Sequence, residues 1–281
     1  MTVTINGTTG IAGVDGSAAT PAVQGVDTNT GVFYGTDIVA VSTGGTERMR
    51  VTNTGVALPT GTSIGSIAAG TASVAPLNFT SGTNLTTATA GAIEYDGKVF
   101  YGTPQGAQRG VIPDSQFYRL DANYVGTAST SAQGIFGSTL GVTLSSSTVY
   151  AFEMVIVFSK TATATAHTFS LGFAGAATLN NILYGGVTNP SAIVFASGTS
   201  GSPSTFYSNT ASATSIGSAT ASANFSWTTQ FRGTVSVNAG GTFIPQYTTS
   251  VSVGPYSTLA GSYILIYPIG SAGLINVGTW A

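Results

Sequence analysis

The last 160 residues of the chain carry only three charged side chains, Glu153, Lys160 and Arg232. That scarcity constrains the fold strongly. A helix at a protein surface needs a charged or long polar outer face, and the good helix formers Leu, Glu, Lys, Gln and Arg are sparse. Gly, Ser, Thr and Ala dominate instead. Disorder does not fit, because disordered chains are poor in aromatics and high in net charge. This chain has 12 Tyr and 14 Phe, with a formal net charge of −2. The composition predicts an all-β protein whose surface is hydroxyl and amide, with Thr as the exposed strand former.

Charge also bears on partners. Only 6% of residues are charged, against about 25% in ordinary domains. A free monomer with so few surface charges is prone to associate, so much of the surface is expected to be buried between copies in a closed homo-oligomer. A net charge of −2 offers no attraction to nucleic acid or anionic lipid. There is no cysteine, hence no disulfide and no thiolate metal site. The opening MTVTINGTTG has neither a basic segment nor an apolar run, so no secretory leader is expected. Apolar runs such as VIVF (Val155 to Phe158) fall far short of the roughly 20 residues of a membrane span, so no membrane insertion is expected.

Turn signals divide the chain into four parts. Residues 1–58 break into short apolar-alternating pieces, VTI, AVQGV, VFYG, DIVAV, RMRV and GVAL, which read as strands and turns. Within GGTERMRVTNTG, regular alternation places Arg48 and Arg50 on one face and Glu47, Met49 and Val51 on the other. Such a basic stripe serves either as a solvated edge that discourages stray pairing or as a contact for attachment or trimer formation. Residues 59–90 are low in complexity, a stalk or a linker. In residues 91–113, AIEYDGKVFYG holds Asp96-Gly97 between two strand-like runs, which predicts a hairpin with a type I′ turn and a Glu94–Lys98 pair across it. Residues 114–281 hold seven or more strands and predict a jelly-roll-like β-sandwich. There VYAFEMVIVF reads as a central strand buried on both faces except at Glu153. Asn238 to Gly241 reads as a hairpin turn, and Ser197 to Ala223 as a long recognition loop.

Catalytic patterns are absent from the sequence. GAIEYDGKV departs from a phosphate loop, since five residues separate Gly91 from Gly97 and Val99 stands where Ser or Thr is needed. His167 is the single histidine, and nothing near it resembles a nucleophile elbow. Its alternatives are a strand-end polar residue or one of three copies around an axial ion. A glycosidase needs two facing carboxylates, and beyond Asp121 there is only Glu153. No cofactor, no metal and no enzymatic activity are therefore expected. The sequons at Asn6, Asn78, Asn84 and Asn224 are no more than a Ser/Thr-rich chain gives by chance. Tyr207, Trp227, Tyr247 and Tyr256 lie in or beside predicted loops of the last part. They serve either to stack on sugars of a receptor or as core and subunit contacts.

Two passages resemble a known family. GVDGSAATPAVQGVDTNTGVFYGTDIVAVSTGGTERMRVTNTG (Gly13 to Gly55) looks like a module recurrent in bacteriophage tail-fibre and virion-fibre proteins, including those of cyanophages. TAGAIEYDGKVFYGTPQGAQRGVIP (Thr89 to Pro113) is similar to a segment that often precedes their C-terminal heads. Together they span about a quarter of the chain. The resemblance implies a homotrimer within the virion, assembled in the host cytoplasm. Its N-terminal part would be mounted on other virion proteins, and its head would bind a host-surface glycan or protein. Glu47, Arg48 and Arg50 would then fix chain register or meet the mounting protein. No long shaft and no T7-like N-terminal adapter is recognisable in these 281 residues. A capsid decoration, cement or head-fibre protein without receptor binding is the alternative, and a depolymerase ranks third.

Overall fold

A computed structural model describes residues 4–7, 10–59, 61–62, 67–161, 165–190, 203–217 and 225–280, none of them helical. All strand pairings among them are antiparallel. The chain divides into two compact units, Met1–Asn78 and Phe79–Ala281.

In the first unit β1 (Thr4–Asn6) pairs with β2 (Gly10–Ala12). A meander follows: β3 (Val23–Gln24), β4 (Gly31–Gly35), β5 (Ile38–Thr43), β6 (Thr46–Thr52) and β7 (Gly55–Ala57). Gly44 and Gly45 join β5 to β6 with φ of 58° and 74°. Two successive positive φ values define the type I′ turn that matches strand twist, which explains the glycines ahead of the charge cluster. Residues 67–78 contain no strand, and Ile67, Val74 and Leu77 are exposed.

The second unit opens with a small sheet of β8 (Ile93–Tyr95), β9 (Phe100–Gly102) and β10 (Gly110–Ile112). Residues before it join it, since Phe79 packs edge-on against Phe100 at 5.8 Å and Gly82 N–H donates to the Tyr95 carbonyl at 3.0 Å. The β8–β9 hairpin forms at Asp96-Gly97, but not through the expected two-residue turn. Tyr95 pairs with Phe100 across a four-residue loop, and of its residues only Gly97 has positive φ. The wider loop is held by Asp96, whose Oδ1 accepts the N–H groups of Lys98 and Val99 at 2.8 Å each.

The head then runs through β11 (Gln116–Arg119), β12 (Tyr124–Val125), β13 (Gln133–Gly134), β14 (Val142–Leu144), β15 (Thr148–Lys160), β16 (Phe169–Ala174), β17 (Thr178–Pro190), β18 (Ser204–Ser208), β19 (Thr214–Gly217), β20 (Phe225–Ala239), β21 (Gly241–Thr249), β22 (Tyr256–Thr258) and β23 (Tyr263–Ser271). The large sheet has the order β11-β23-β15-β20-β17-β18, with β12 and β22 continuing β11 and β23 alongside it. The smaller sheet has the order β13-β21-β16-β19, with β14 also on β21. If interrupted strands are counted once and the β17–β18 pair is set aside, the sheets read 1-8-3-6 and 2-7-4-5 in chain order. That wrap is the eight-stranded jelly roll, with β17 and β18 widening one edge.

Strand alternation builds the core. On β15, Phe152, Met154, Ile156 and Phe158 point inward and are at most 2% exposed. They meet Phe169, Phe173, Phe243 and Tyr247 of the opposite sheet. Each such side chain contributes about 1.5–3 kcal/mol by burial. The expected burial of β15 on both faces is not seen among the described residues: on its other face Val155 and Val157 are half-buried and Glu153 is exposed. The expected Asn238–Gly241 hairpin is instead a corner, because β20 belongs to the large sheet and β21 to the small one. Gly240 makes the crossing, where a Cβ would stand 2.9 Å from the Leu144 carbonyl oxygen. Ser197–Ala223 is not one long loop either. Its described part forms β18 and β19, paired on β17 and β16, and positions 197–202 and 218–223 lie outside the described residues.

Candidate functional site

The N-terminal charge cluster is rearranged by a bulge. Val41 faces Met49 while Ser42 faces Glu47, so Arg48 is the extra residue. A bulge residue reverses the alternation beyond it, which brings Glu47 to the face of Arg50. Glu47 grips the Arg50 guanidinium with both oxygens, with Nη2–Oε2 at 2.6 Å and Nε bonded to Oε1. The carboxylate raises the Arg50 pKa above its ordinary value by hydrogen bond and charge. Arg48 Nε donates to Thr43 Oγ1 at 3.0 Å. The expected two-arginine stripe is therefore one ion pair and one exposed arginine.

The charges of residues 91–113 are also bound within the chain. Glu94 pairs with Arg109 at 2.8 Å rather than with Lys98, and Arg109 Nη2 donates to the Leu85 carbonyl at 2.6 Å. Lys98 Nζ reaches the head instead, donating to the Ser146 carbonyl at 2.7 Å and Thr148 Oγ1 at 3.1 Å. Tyr101 OH donates to Asp96 Oδ2 at 3.1 Å. Burial, assisted by the Asp96 charge, pushes the Tyr101 hydroxyl up to about 12. This module is a clamp on the head, and its charges are spent on structure.

Of the four aromatics considered for sugar stacking, three are core. Trp227 is 4% exposed, and Tyr247 and Tyr256 are 2% exposed. Tyr247 stacks on Phe169 at 5.1 Å, Trp227 meets Phe169 edge-on at 4.7 Å, and Tyr256 lies 5.5 Å from Trp227. They sit on inward positions of β20, β21 and β22, so no sugar can reach them. Burial raises the pKa of both tyrosines. His167 belongs to the same cluster: its Nδ1 meets the Thr165 carbonyl and its Nε2 the Tyr256 hydroxyl. Both ring nitrogens are engaged in a buried site, which removes it as an axial ligand. Tyr207 differs, at 80% exposed on the outermost strand β18.

Tyr207 ends a row across the outward face of the large sheet. The registers align Phe117, Leu265, Glu153, Arg232, Gly185 and Tyr207 on β11, β23, β15, β20, β17 and β18. At about 4.8 Å between strands the row spans about 24 Å. Flanking rows place Val155 between Tyr263 and Gln230, and Ala151 between Tyr267 and Thr234. Phe117 stacks on Tyr263 at 5.3 Å, and Tyr263 OH donates to Glu153 Oε1 at 2.9 Å. That hydrogen bond, with burial and the Glu153 charge, raises the Tyr263 pKa. Arg232 is the register partner of Glu153, yet among the described residues its guanidinium takes no hydrogen bond or ion pair. Gly185 leaves it uncovered on the far side.

This face is aromatic and aliphatic over β11, β23 and β15 and polar over β20, with one charge of each sign in the middle. Sequence reading missed it as a unit. Glu153 inside an apolar run was the available signal, but its neighbours come from β20 and β23, about 80 and 110 residues away. No family model, curated protein or solved structure matches this chain.

Proposed function

We propose that the chain is a phage virion structural protein, a short trimeric tail fibre. Its N-terminal part mounts on other virion proteins and its C-terminal head meets a glycan on the host surface. The observation that carries this reading is the open face of the large sheet. It is a broad expanse of aromatic, aliphatic and hydroxyl side chains with two central charges, in a chain too poor in charge to leave such a face in water. A surface of that kind is suited to association. The fibre-like passages Gly13 to Gly55 and Thr89 to Pro113 add the context of a virion. Within the head, Tyr207 is the aromatic placed to stack on a sugar, at the outer rim of the face.

The test is made on the purified full chain. Its solution mass is expected to be that of three copies, antibody labelling of particles is expected to fall on the tail, and the protein is expected to compete with particles for adsorption to host cells. Labelling over the capsid with no competition would replace the fibre by a capsid decoration protein. Reversing both Arg48→Glu and Arg50→Glu is expected to block incorporation into particles, since it breaks the Glu47 pair and presents three carboxylates on one strand.

A further inference from the structure

We infer that the open face of the large sheet, centred on β23, β15 and β20, is where the head of one copy meets the next, with Arg232 of each copy reaching Glu153 of its neighbour. This rests on the proposed trimer and locates its contact within the head.

The face is aromatic and aliphatic over β11, β23 and β15, and carries hydroxyl and amide side chains (Thr228, Gln230, Thr234) over β20. Phe117 and Leu183 are more than half exposed, and Val155, Val157, Tyr263 and Leu265 are partly exposed beside them. On the inward side of the same strands, residues of this type are fully buried. A contiguous patch of this kind marks an association surface.

Charge complementarity names the occupant. The centre of the face holds one carboxylate and one guanidinium on adjacent strands, and the two do not pair within the chain. Glu153 accepts only the Tyr263 hydroxyl through Oε1, which leaves its other oxygen free among the described residues. The remaining charge on this face, Arg119 at the β11 edge, is paired with Asp121 at 3.1 Å. A face offering one uncompensated charge of each sign is complementary to itself. In a cyclic trimer each contact is heterologous, so with this face turned toward the threefold axis the β20 side of one copy meets the β15 side of the next, and three Arg232–Glu153 pairs close a ring. A neutral glycan on this face would leave both charges unmatched. The β17–β18 margin with Tyr207 remains at the rim, free for the host.

The absence of cysteine from the chain makes the test direct. Arg232→Cys and, as an off-face control, Asn209→Cys are each introduced into the full-length protein, and thiol labelling is timed at a concentration where the mass is that of the trimer. Labelling of Arg232→Cys is expected to be at least about tenfold slower than that of the control, because the contact covers it. Glu153→Arg and Arg232→Glu are each expected to weaken self-association at least about tenfold, and the two together to restore it. A trimer in which Arg232→Cys labels as fast as the control would overturn this contact while leaving the trimer standing. Fast labelling that a panel of neutral and acidic oligosaccharides slows would overturn it in favour of a saccharide on this face. A wild-type protein that stays monomeric would remove the trimer itself, and this contact with it.

Discussion

The N-terminal meander and the jelly-roll head are built from the same strand chemistry but solve burial in opposite ways. The head folds two sheets together, and 25 hydrophobic residues form one buried cluster between them. The meander is a single layer. Ala40 is its one fully buried hydrophobic among the described residues, while Tyr34, Val39, Met49, Val51 and Val56 are between 39% and 67% exposed. A lone sheet cannot cover its own faces and needs packing from elsewhere to be stable. What holds the meander locally is turn chemistry and register: the Gly44-Gly45 turn, the bulge at Arg48 and the Glu47–Arg50 pair. The head derives its stability from its own core, whereas the meander needs something outside itself.

The contrast is tested most severely by core truncation. Phe158→Ala removes a fully buried ring in contact with Phe169, Trp227 and Tyr247, and chemical denaturation is expected to show a loss of about 3–5 kcal/mol. Val56→Ala, on the exposed meander, is expected to change stability by less than about 0.5 kcal/mol in the dissociated protein. A large loss there would mean the meander has a cover of its own.

Backbone strain gives the next largest effect. Gly45→Val places a β-branched residue at a φ of 74°, which is expected to cost about 1–3 kcal/mol and to act on the meander alone. Thermal unfolding followed at the tryptophans, which are both in the second unit, should then be nearly unchanged.

Alkaline pH separates the two units as well. In the second unit, burial raises Tyr101 to about 12 from an ordinary value of 10.0, and raises Tyr247 and Tyr256 too. A folded-state pKa above the unfolded one favours the neutral phenol in the folded state. The associated stability is therefore whole below about pH 10 and declines as pH rises from there through the folded value. Denaturation midpoints of the second unit should fall over that window, and Tyr101→Phe should remove part of the slope.

The smallest effect belongs to the Glu47–Arg50 pair, which is partly exposed. Glu47→Gln is expected to give the dissociated protein only a small drop in melting temperature, since an exposed pair contributes little, and added salt should abolish it.

Much of this organisation is legible residue by residue. Sparse charge and few helix formers exclude helix, the apolar β15 stretch marks a central strand, and Asp96-Gly97 marks a hairpin. Other features depend on distant partners. The bulge at Arg48 exists because β5 offers one residue fewer than β6 uses, so simple alternation placed Glu47 on the wrong face. Trp227, Tyr247 and Tyr256 border small-residue loops in the sequence, yet each falls on an inward strand position that only the sheet assignment reveals. Asn238 to Gly241 has the composition of a hairpin turn, and whether such a turn joins neighbours or crosses between sheets depends on where the next strand finds its pairing partners.

The amino-acid sequence by itself determined the class of structure, the positions of most strands and the poverty of charge that makes self-association the expected state. These follow from backbone preference and side-chain alternation, which act over a few residues. Tertiary structure decided the wrap of the two sheets, the burial of the aromatics and the meeting of Glu153, Arg232 and Tyr263 on one open face. Those depend on hydrogen-bonded registers between strands about 80 to 110 residues apart, and a one-residue slip in any of them would turn the whole row to the other side of the sheet.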